Sequence, residues 1–225
     1  MSPFWRQALE SARTDLITER RTGETATVII PFGLVALMAF PFALGLDLPL
    51  VSRIGSPVFW SLGLLFGAQI ISREAAADTP ARRDLYALLA VDPAARFAGR
   101  ALAGTSLVGF FLLVTFLVMM LLYSPQLPSS WYWVTLASIA LFAVGIAELG
   151  ALATGVTAGL KGRSMLAPML IAPLGVPLLI GASQAMQALQ RGSVILPWML
   201  LLLTADLVLA VVGVAVARPL EEARR

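Results

Sequence analysis

Six apolar runs constrain this chain more than any other feature of its sequence. Each is long enough to cross the hydrocarbon core of a bilayer as a helix, which takes about 20 residues. Backbone groups in lipid must be satisfied within the segment, so such runs form helices. Hydrophobic residues make up 59% of the chain and charged residues 13%, too little charge to cover a soluble surface. The sequence therefore predicts an all-α membrane protein with six transmembrane helices in one permease domain.

The fifth span and the connection between the second and third spans stand out in this plan. The predicted spans cover residues 28–46, 54–72, 101–123, 131–160, 165–189 and 194–217. The fifth span contains Pro168, Pro173 and Pro177. Because proline has no backbone N–H and clashes with the preceding turn, this span is expected to be kinked or broken. The segment between the second and third spans, 73–100, is long, polar and charged.

Residues 1–24 have the pattern of an amphipathic helix ahead of the first span. Its apolar residues recur at helical spacing, and arginines and glutamates fall largely on other faces. The apolar set is Phe4, Trp5, Ala8, Leu9, Ala12, Leu16 and Ile17. An apolar stripe beside a basic face is typical of a helix lying in the lipid headgroup plane. A short helix packed on a partner protein is the alternative.

The positive charges fall almost entirely on one side of the predicted spans. Of the 16 Lys and Arg residues, only Arg53 and Arg191 lie on the other side, which leaves 14 on the side of both termini. By the positive-inside bias, we expect both termini, the long loop and the tail 218–225 in the cytoplasm of a bacterial inner membrane. The basic composition is thereby explained without nucleic acid. The connection between spans four and five adds Lys161, Gly162 and Arg163 to this side.

Residue types needed for most cofactor and enzyme chemistry are missing. The chain has no Cys and no His, so it lacks thiolate ligands and the commonest metal and haem ligand. No phosphate-binding glycine loop or catalytic motif is present. We therefore expect no intrinsic enzyme activity, no metal site and no directly bound cofactor.

Two acids lie inside predicted spans. Glu148 is in the fourth span and Asp206 is near the middle of the sixth. An ionisable group at this depth costs about 2.5–3.5 kcal/mol on insertion scales, so it should face the bundle interior or a polar partner. One hypothesis is a substrate path, a proton site or a subunit contact. The other is a neutral acid hydrogen-bonded to the fifth span, where Ser183 and Gln184 are available.

Small residues are dense along the fourth span. They are Gly145, Ala147, Gly150, Ala151, Ala153, Gly155, Ala158 and Gly159. Small residues at three- and four-residue spacing let helix backbones approach closely. The pattern predicts a packing face, either within the bundle or across a homodimer.

The long loop carries the candidate coupling site. Thr79 before Pro80 is a favourable helix start, and a helix over 80–90 would place its leucines on one side. Exposed apolar side chains flanked by charge fit a groove on a cytosolic partner. A helix lying flat on the membrane is the alternative. The candidate docking residues are Arg82, Arg83, Asp84, Leu85, Leu88, Leu89, Asp92 and Pro93.

Four segments together resemble the CcmB family over nearly the whole chain. They are FWR at 4–6, LVSRIGSPVFW at 50–60, DLYALLAVDP at 84–93 and GLKGRSMLAPMLIAPLGVPLLIGASQAM at 159–186. The chain departs from the family at 77–83, where an acidic stretch with Asp-Gly is usual, and at Glu148, where an apolar residue is usual.

The resemblance implies an ABC-2-like permease with a coupling helix between helices 2 and 3, serving cytochrome c maturation. It implies a CcmA-like ATPase that holds ATP and magnesium, a CcmC-like haem-handling protein and a small CcmD-like protein. Energy coupling to haem export or to release of the haem-loaded chaperone is favoured over haem binding, with haem at most a transient substrate. A general ABC-2-type exporter of a lipid or other apolar substrate, a membrane scaffold and an ion-coupled transporter are the competing hypotheses.

Overall fold

The computed structural model describes residues 3–45, 47–76, 86, 88–89, 91–125, 131–157 and 163–222. The long helices within these ranges number eight. They are α1 (Pro3–Thr22), α2 (Ile30–Ala43), α3 (Leu48–Ala76), α4 (Pro93–Tyr123), α5 (Trp131–Thr157), α6 (Arg163–Leu174), α7 (Val176–Arg191) and α8 (Leu196–Glu222). One π-helical turn, Thr25–Ile29, leads directly into α2.

The helices confirm the predicted membrane architecture. Five stretches are long and apolar enough to cross a bilayer by themselves, and these lie in α2 with its π-helical turn, α3, α4, α5 and α8. A sixth span results if α6 and α7 are taken together, since they meet at a bend of 43° after a short break. The chain is thus a multi-pass, all-α membrane protein with up to six spans.

The bend between α6 and α7 is the broken helix expected from the prolines of the fifth span. Pro173 and Pro177 flank it, and neither can donate to the carbonyl four residues earlier. Gly175 lies between the two helices and packs against α3. A Cβ on this glycine would lie 2.5 Å from Leu64 Cδ1 and 3.0 Å from the Ile171 carbonyl oxygen. The bend therefore depends on both the prolines and the glycine.

Several helices are longer than predicted, so the long loop is shorter. The third span was expected to begin at residue 101, but α4 begins at Pro93, because Asp92 caps it and Pro93 suits its first turn. The segment 93–100 was predicted to be loop because Arg96 and Arg100, now in the first turns of α4, are charged. At the other end, α3 continues to Ala76. The predicted loop 73–100 is therefore helical at both ends, and most of the predicted tail belongs to α8.

The fourth predicted span, now α5, packs at the centre of the bundle. Of the apolar stretch of α5 that could cross the bilayer, 67% is buried inside the protein, the highest share of the five continuous spans. The corresponding share for α8 is 17%. Aromatic rings fill the core beside it, with the Trp60 and Phe142 centroids 5.1 Å apart. Gly150 packs against Ile71 of α3, and Gly145 packs against Leu178 of α7. The described part of the small-residue face thus packs within the bundle.

The N-terminal helix predicted from its amphipathic pattern is present as α1, and it lies against the start of α4. Its buried face is formed by Ala8, Ser11, Ala12 and Asp15. Gly99 of α4 permits the contact, because a Cβ there would lie 2.6 Å from the Ala8 carbonyl oxygen. Trp5, Leu9 and Ile17 are exposed. These outward side chains fit the interfacial position, which stays a prediction.

We predict that Gly150→Ala destabilises the bundle by about 1–3 kcal/mol, the usual cost of overpacking a tight core. A Cβ at this position would overlap the Ile71 side chain. Thermal unfolding in detergent micelles measures the effect. The matched control is Gly109→Ala in α4, where the nearest atom, Ala143 Cβ, is 3.9 Å away. Equal stability of the two variants would contradict close packing of α5 on α3. In a double variant, Ile71→Ala should restore the stability that Gly150→Ala removes.

Candidate functional site

The candidate site lies where several helix ends meet on one face of the bundle. Arg73 near the end of α3 pairs with Glu24 ahead of the first span, 2.9 Å between Nη1 and Oε2. A cavity of about 50 Å³ lies among the start of α4 and the ends of α5 and α8. Its lining includes Pro93, Gly155 and Leu220. We call this surface, formed by α1, the end of α3, the start of α4 and the ends of α5 and α8, the loop face.

Asp92 joins three helices of the loop face. Its Oδ1 accepts from the Ala94 N–H at 3.0 Å, which caps α4. Its own backbone N–H donates to Gln7 Oε1 of α1 at 3.2 Å. Arg218 of α8 donates to both carboxylate oxygens, from Nε at 3.3 Å and from Nη2 at 2.9 Å. One residue therefore holds the N-terminal, middle and C-terminal parts of the chain together.

The electrostatics of this junction favour an ionised Asp92. The hydrogen bond from Arg218 is the largest cause that holds the pKa of the Asp92 carboxyl below its usual range. Partial burial opposes this shift, and the Ala94 N–H supports it. The side chain of Asp92 is 29% exposed and that of Arg218 is 67% exposed. Solvent screens a pair this exposed, so its value lies in geometry more than in stability.

The end of the loop packs onto the start of α4 through an aromatic contact. The Arg96 guanidinium carbon lies 4.7 Å from the centroid of the Tyr86 ring, a cation–π arrangement. The Val91 N–H donates to the Tyr86 carbonyl at 3.2 Å. A groove of about 420 Å³ separates this segment from α1, and Gln7, Tyr86 and Leu89 contribute to its walls. The loop end is thus attached to α4 while remaining separated from α1.

The predicted docking residues divide into three groups. Leu88 and Leu89 are described and largely exposed, at 84% and 63%. Asp92 and Pro93 form the start of α4. Outside the described residues lie Arg82, Arg83, Asp84 and Leu85. In the separately predicted connection between spans four and five, Lys161 and Gly162 also lie outside them, and Arg163 begins α6.

Sequence reasoning did not find Arg218, Gln7 or Tyr86 as parts of this site. Arg218 was assigned to the tail, but it forms an ion pair with Asp92, which lies 126 positions earlier in the sequence. Gln7 was left outside the apolar pattern of the N-terminal helix. No local pattern pairs such distant positions, because their contact depends on how the helices pack. Of these three residues, only Tyr86 lies within a sequence motif that pointed to this site, DLYALLAVDP.

The two intramembrane acids come together between α5 and α8. Both are buried, Glu148 at 8% and Asp206 at 5% exposure. Oε2 of Glu148 and both carboxylate oxygens of Asp206 have no hydrogen-bond partner within the described part of the chain. The expected bonds to Ser183 and Gln184 are therefore absent there, and Ser183 instead accepts from Gln187 Nε2 at 3.4 Å. The bonds to Ser183 and Gln184 are thus not formed among the described residues, and the protonation of the two acids stays a prediction.

Comparisons with known proteins agree on one family. A family model described as "CcmB protein" matches residues 6–222. A curated protein named "Heme exporter protein B", from Paracoccus denitrificans (strain Pd 1222), is 30% identical over 174 residues. That match covers 77% of this chain and 79% of the relative.

We predict that the stability difference between the unmodified protein and Arg218→Gln depends on pH. Because the pKa of Asp92 is lowered in the folded state, the ionised pair stabilises the fold above the pKa of an unfolded Asp. This contribution is lost as the pH falls through the lowered pKa. Thermal unfolding of both proteins from neutral to acidic pH measures the difference, which should be small at neutral pH because solvent screens the pair, and should shrink on acidification.

The matched control for this pH dependence is Arg191→Gln. Arg191 is exposed and bonds only a neutral side chain in the described contacts, with Nη2 2.9 Å from Gln187 Oε1. Its stability difference should not change with pH. A difference for Arg218→Gln that persists at acidic pH would contradict the role assigned to its pair with Asp92.

Proposed function

Because the chain belongs to the CcmB family, we propose that it couples ATP hydrolysis on a partner ATPase to haem export or to release of a haem-loaded chaperone. It is a membrane subunit of the ABC complex for haem export and cytochrome c maturation. The loop face is the site of coupling in this proposal. ATP and magnesium are held by the ATPase, and this subunit performs no catalysis.

The observation that carries the proposal is the exposure of two leucines next to a junction. Leu88 and Leu89 are largely solvent-exposed on the loop face. Exposed apolar side chains at this position suit an apolar groove on a cytosolic protein. Asp92, three residues after Leu89, holds α1, α4 and α8 together. A protein that pulls on the leucines therefore acts close to the contact on which three helices depend.

The path from the loop into the membrane follows described contacts. Tyr86 stacks on Arg96 in the first turns of α4. Displacement of the loop would shift this contact and the cap of α4 together. It would then alter the bond between Asp92 and Arg218, and with it the end of α8. Through these described contacts, the movement would reach helices at both ends of the chain.

The partners and the orientation of the protein belong to the same proposal. The ATPase is CcmA-like, and CcmC-like and CcmD-like proteins complete the complex. The loop face is cytoplasmic in a bacterial inner membrane, which the 14-to-2 distribution of basic residues supports. A homodimer would need a surface other than the described small residues of α5, since these pack within the bundle.

Haem is treated as the cargo of the complex. Without His, this subunit lacks the usual axial ligand of haem iron. Energy coupling therefore accounts for its residues better than haem retention does. The same features argue against a resident metal.

We predict that Leu88→Asp combined with Leu89→Asp uncouples the complex. The change introduces charge where the ATPase groove requires apolar contact, and it leaves every span intact. Co-purification of the tagged protein from mild detergent, followed by ATPase assay and measurement of cytochrome c yield, tests this. We expect loss of the ATPase from the purified complex, equivalent to at least a tenfold rise in Kd or about 1.4 kcal/mol of lost binding, together with a fall in cytochrome c yield.

The matched control is Leu88→Met combined with Leu89→Met, which keeps the two side chains apolar and similar in volume. This variant should retain the ATPase and the cytochrome c yield. Normal assembly and normal yield in the aspartate variant would overturn the docking assignment. Co-purification of an ATPase without any haem-handling protein would overturn the assignment of the complex.

A further inference from the structure

Glu148 and Asp206 are two buried acids to which the proposed function gives no role. They project from α5 and α8 into the bundle, and each is more than nine-tenths buried. Three of their four carboxylate oxygens are buried without a hydrogen-bond partner among the described residues. Isolated charges in such surroundings are strongly disfavoured. The structure must therefore reduce their charge or supply a ligand.

The two carboxyl groups face the same contact between α5 and α8. A Cβ on Gly145 would come within 2.6 Å of Asp206 Oδ1, so the Asp206 carboxyl rests on the surface of α5 at this glycine. Glu148 is three residues further along the same helix, on the same side. The charge of Glu148 therefore acts on Asp206 across this contact. The absence of a side chain at Gly145 leaves room for the pair.

We propose that Glu148 and Asp206 form an acid pair that binds one proton between α5 and α8 within the membrane. Two carboxylates buried at one helix contact in a low dielectric strongly disfavour being ionised together, whereas one proton shared between them forms a hydrogen bond and leaves a single charge. The proton is covalently held by one carboxyl and donated to the other. It thus pairs two of the three buried oxygens that have no other partner in the described part of the chain.

A metal ion fits these residues less well than a proton. Calcium takes about 6–8 oxygen ligands, and magnesium requires about six in an octahedron. Two carboxylates supply at most four oxygens. No group of three or more His, Cys, Asp or Glu residues placed to hold a metal occurs in the part of the chain that the structure describes.

Other charged groups on the packed helices make no hydrogen bond to the buried oxygens of the pair within the described part of the chain, although Arg100 lines a cavity that reaches Ala151 and Leu152, one turn from Glu148. The described ones are Arg96 and Arg100 in the first turns of α4, Arg53 and Arg73 in α3, Arg191 at the end of α7 and Arg218 near the end of α8. Tyr123 closes α4 and donates to the Leu37 carbonyl oxygen at 2.7 Å. Because the buried oxygens of the two acids have no partner among these groups, the proton should be held by the acids themselves. Release of the proton would bring two negative charges into contact and loosen α8 from α5.

The test is infrared spectroscopy of the purified protein in nanodiscs at neutral pH, in H2O and in D2O. The stretching band of a protonated carboxyl group reports the shared proton, and it shifts in D2O. We expect one such band in the unmodified protein and its loss in both Glu148→Gln and Asp206→Asn. In each variant the amide donates to the remaining carboxylate, which is then ionised. Asp47→Asn, at an exposed acid in a connection, is the matched control and should keep the band.

Each outcome decides the proposal. Absence of the band in the unmodified protein would mean that no proton is held, and a band that persists in either amide variant would mean that the acids are protonated separately. If a variant fails to fold, a pH titration of the band in the unmodified protein still decides, since release of one shared proton should abolish it in one step. The assay needs no ATPase, so its result is independent of the coupling proposal.

Discussion

Lipid gives helices no hydrophobic reason to associate, so this bundle depends on how closely its backbones approach α5. Gly150 admits Ile71 of α3, and Gly145 admits both Leu178 of α7 and the Asp206 carboxyl of α8. A Cβ at either glycine would separate α5 from its neighbours. The close approach at Gly145 is also what places two acids side by side. The packing of the bundle and its most unusual polar feature thus have the same origin.

The polar contacts of α8 matter because so little of it is buried. Only 17% of its apolar spanning stretch is buried inside the protein, compared with 67% for α5, so lipid surrounds most of its length. Arg218 gives α8 an ion pair with Asp92 at the loop face. Asp206 places a buried carboxyl of α8 against α5 at Gly145, three residues before Glu148. Under the two proposals, charge would act on α8 through movement of the loop or through the acid pair.

The sequence predicted what depends on composition and local pattern. Apolar length gave the spans, and the prolines gave the break between α6 and α7, since both effects act within a single helix. The boundary at Pro93 was missed because arginines in the first turns of α4 looked like loop residues, although Asp92 before Pro93 is a capping signal. The pairing of Asp92 with Arg218, and that of Glu148 with Asp206, could not be predicted. Both depend on the relative placement of helices far apart in sequence.

The position of Arg218 has a consequence for the order in which the molecule is completed. Asp92 is made when less than half of the chain exists, whereas its ion-pair partner stands in the last turns of the final helix. During synthesis the cap of α4 can form before its attachment to α8, which waits until Arg218 has been made. The same is true of the proposed acid pair, since Asp206 follows Glu148 by a full span and a half. The loop face is complete only after α8 has been made, so a partner that binds only the complete face would not bind chains that lack α8.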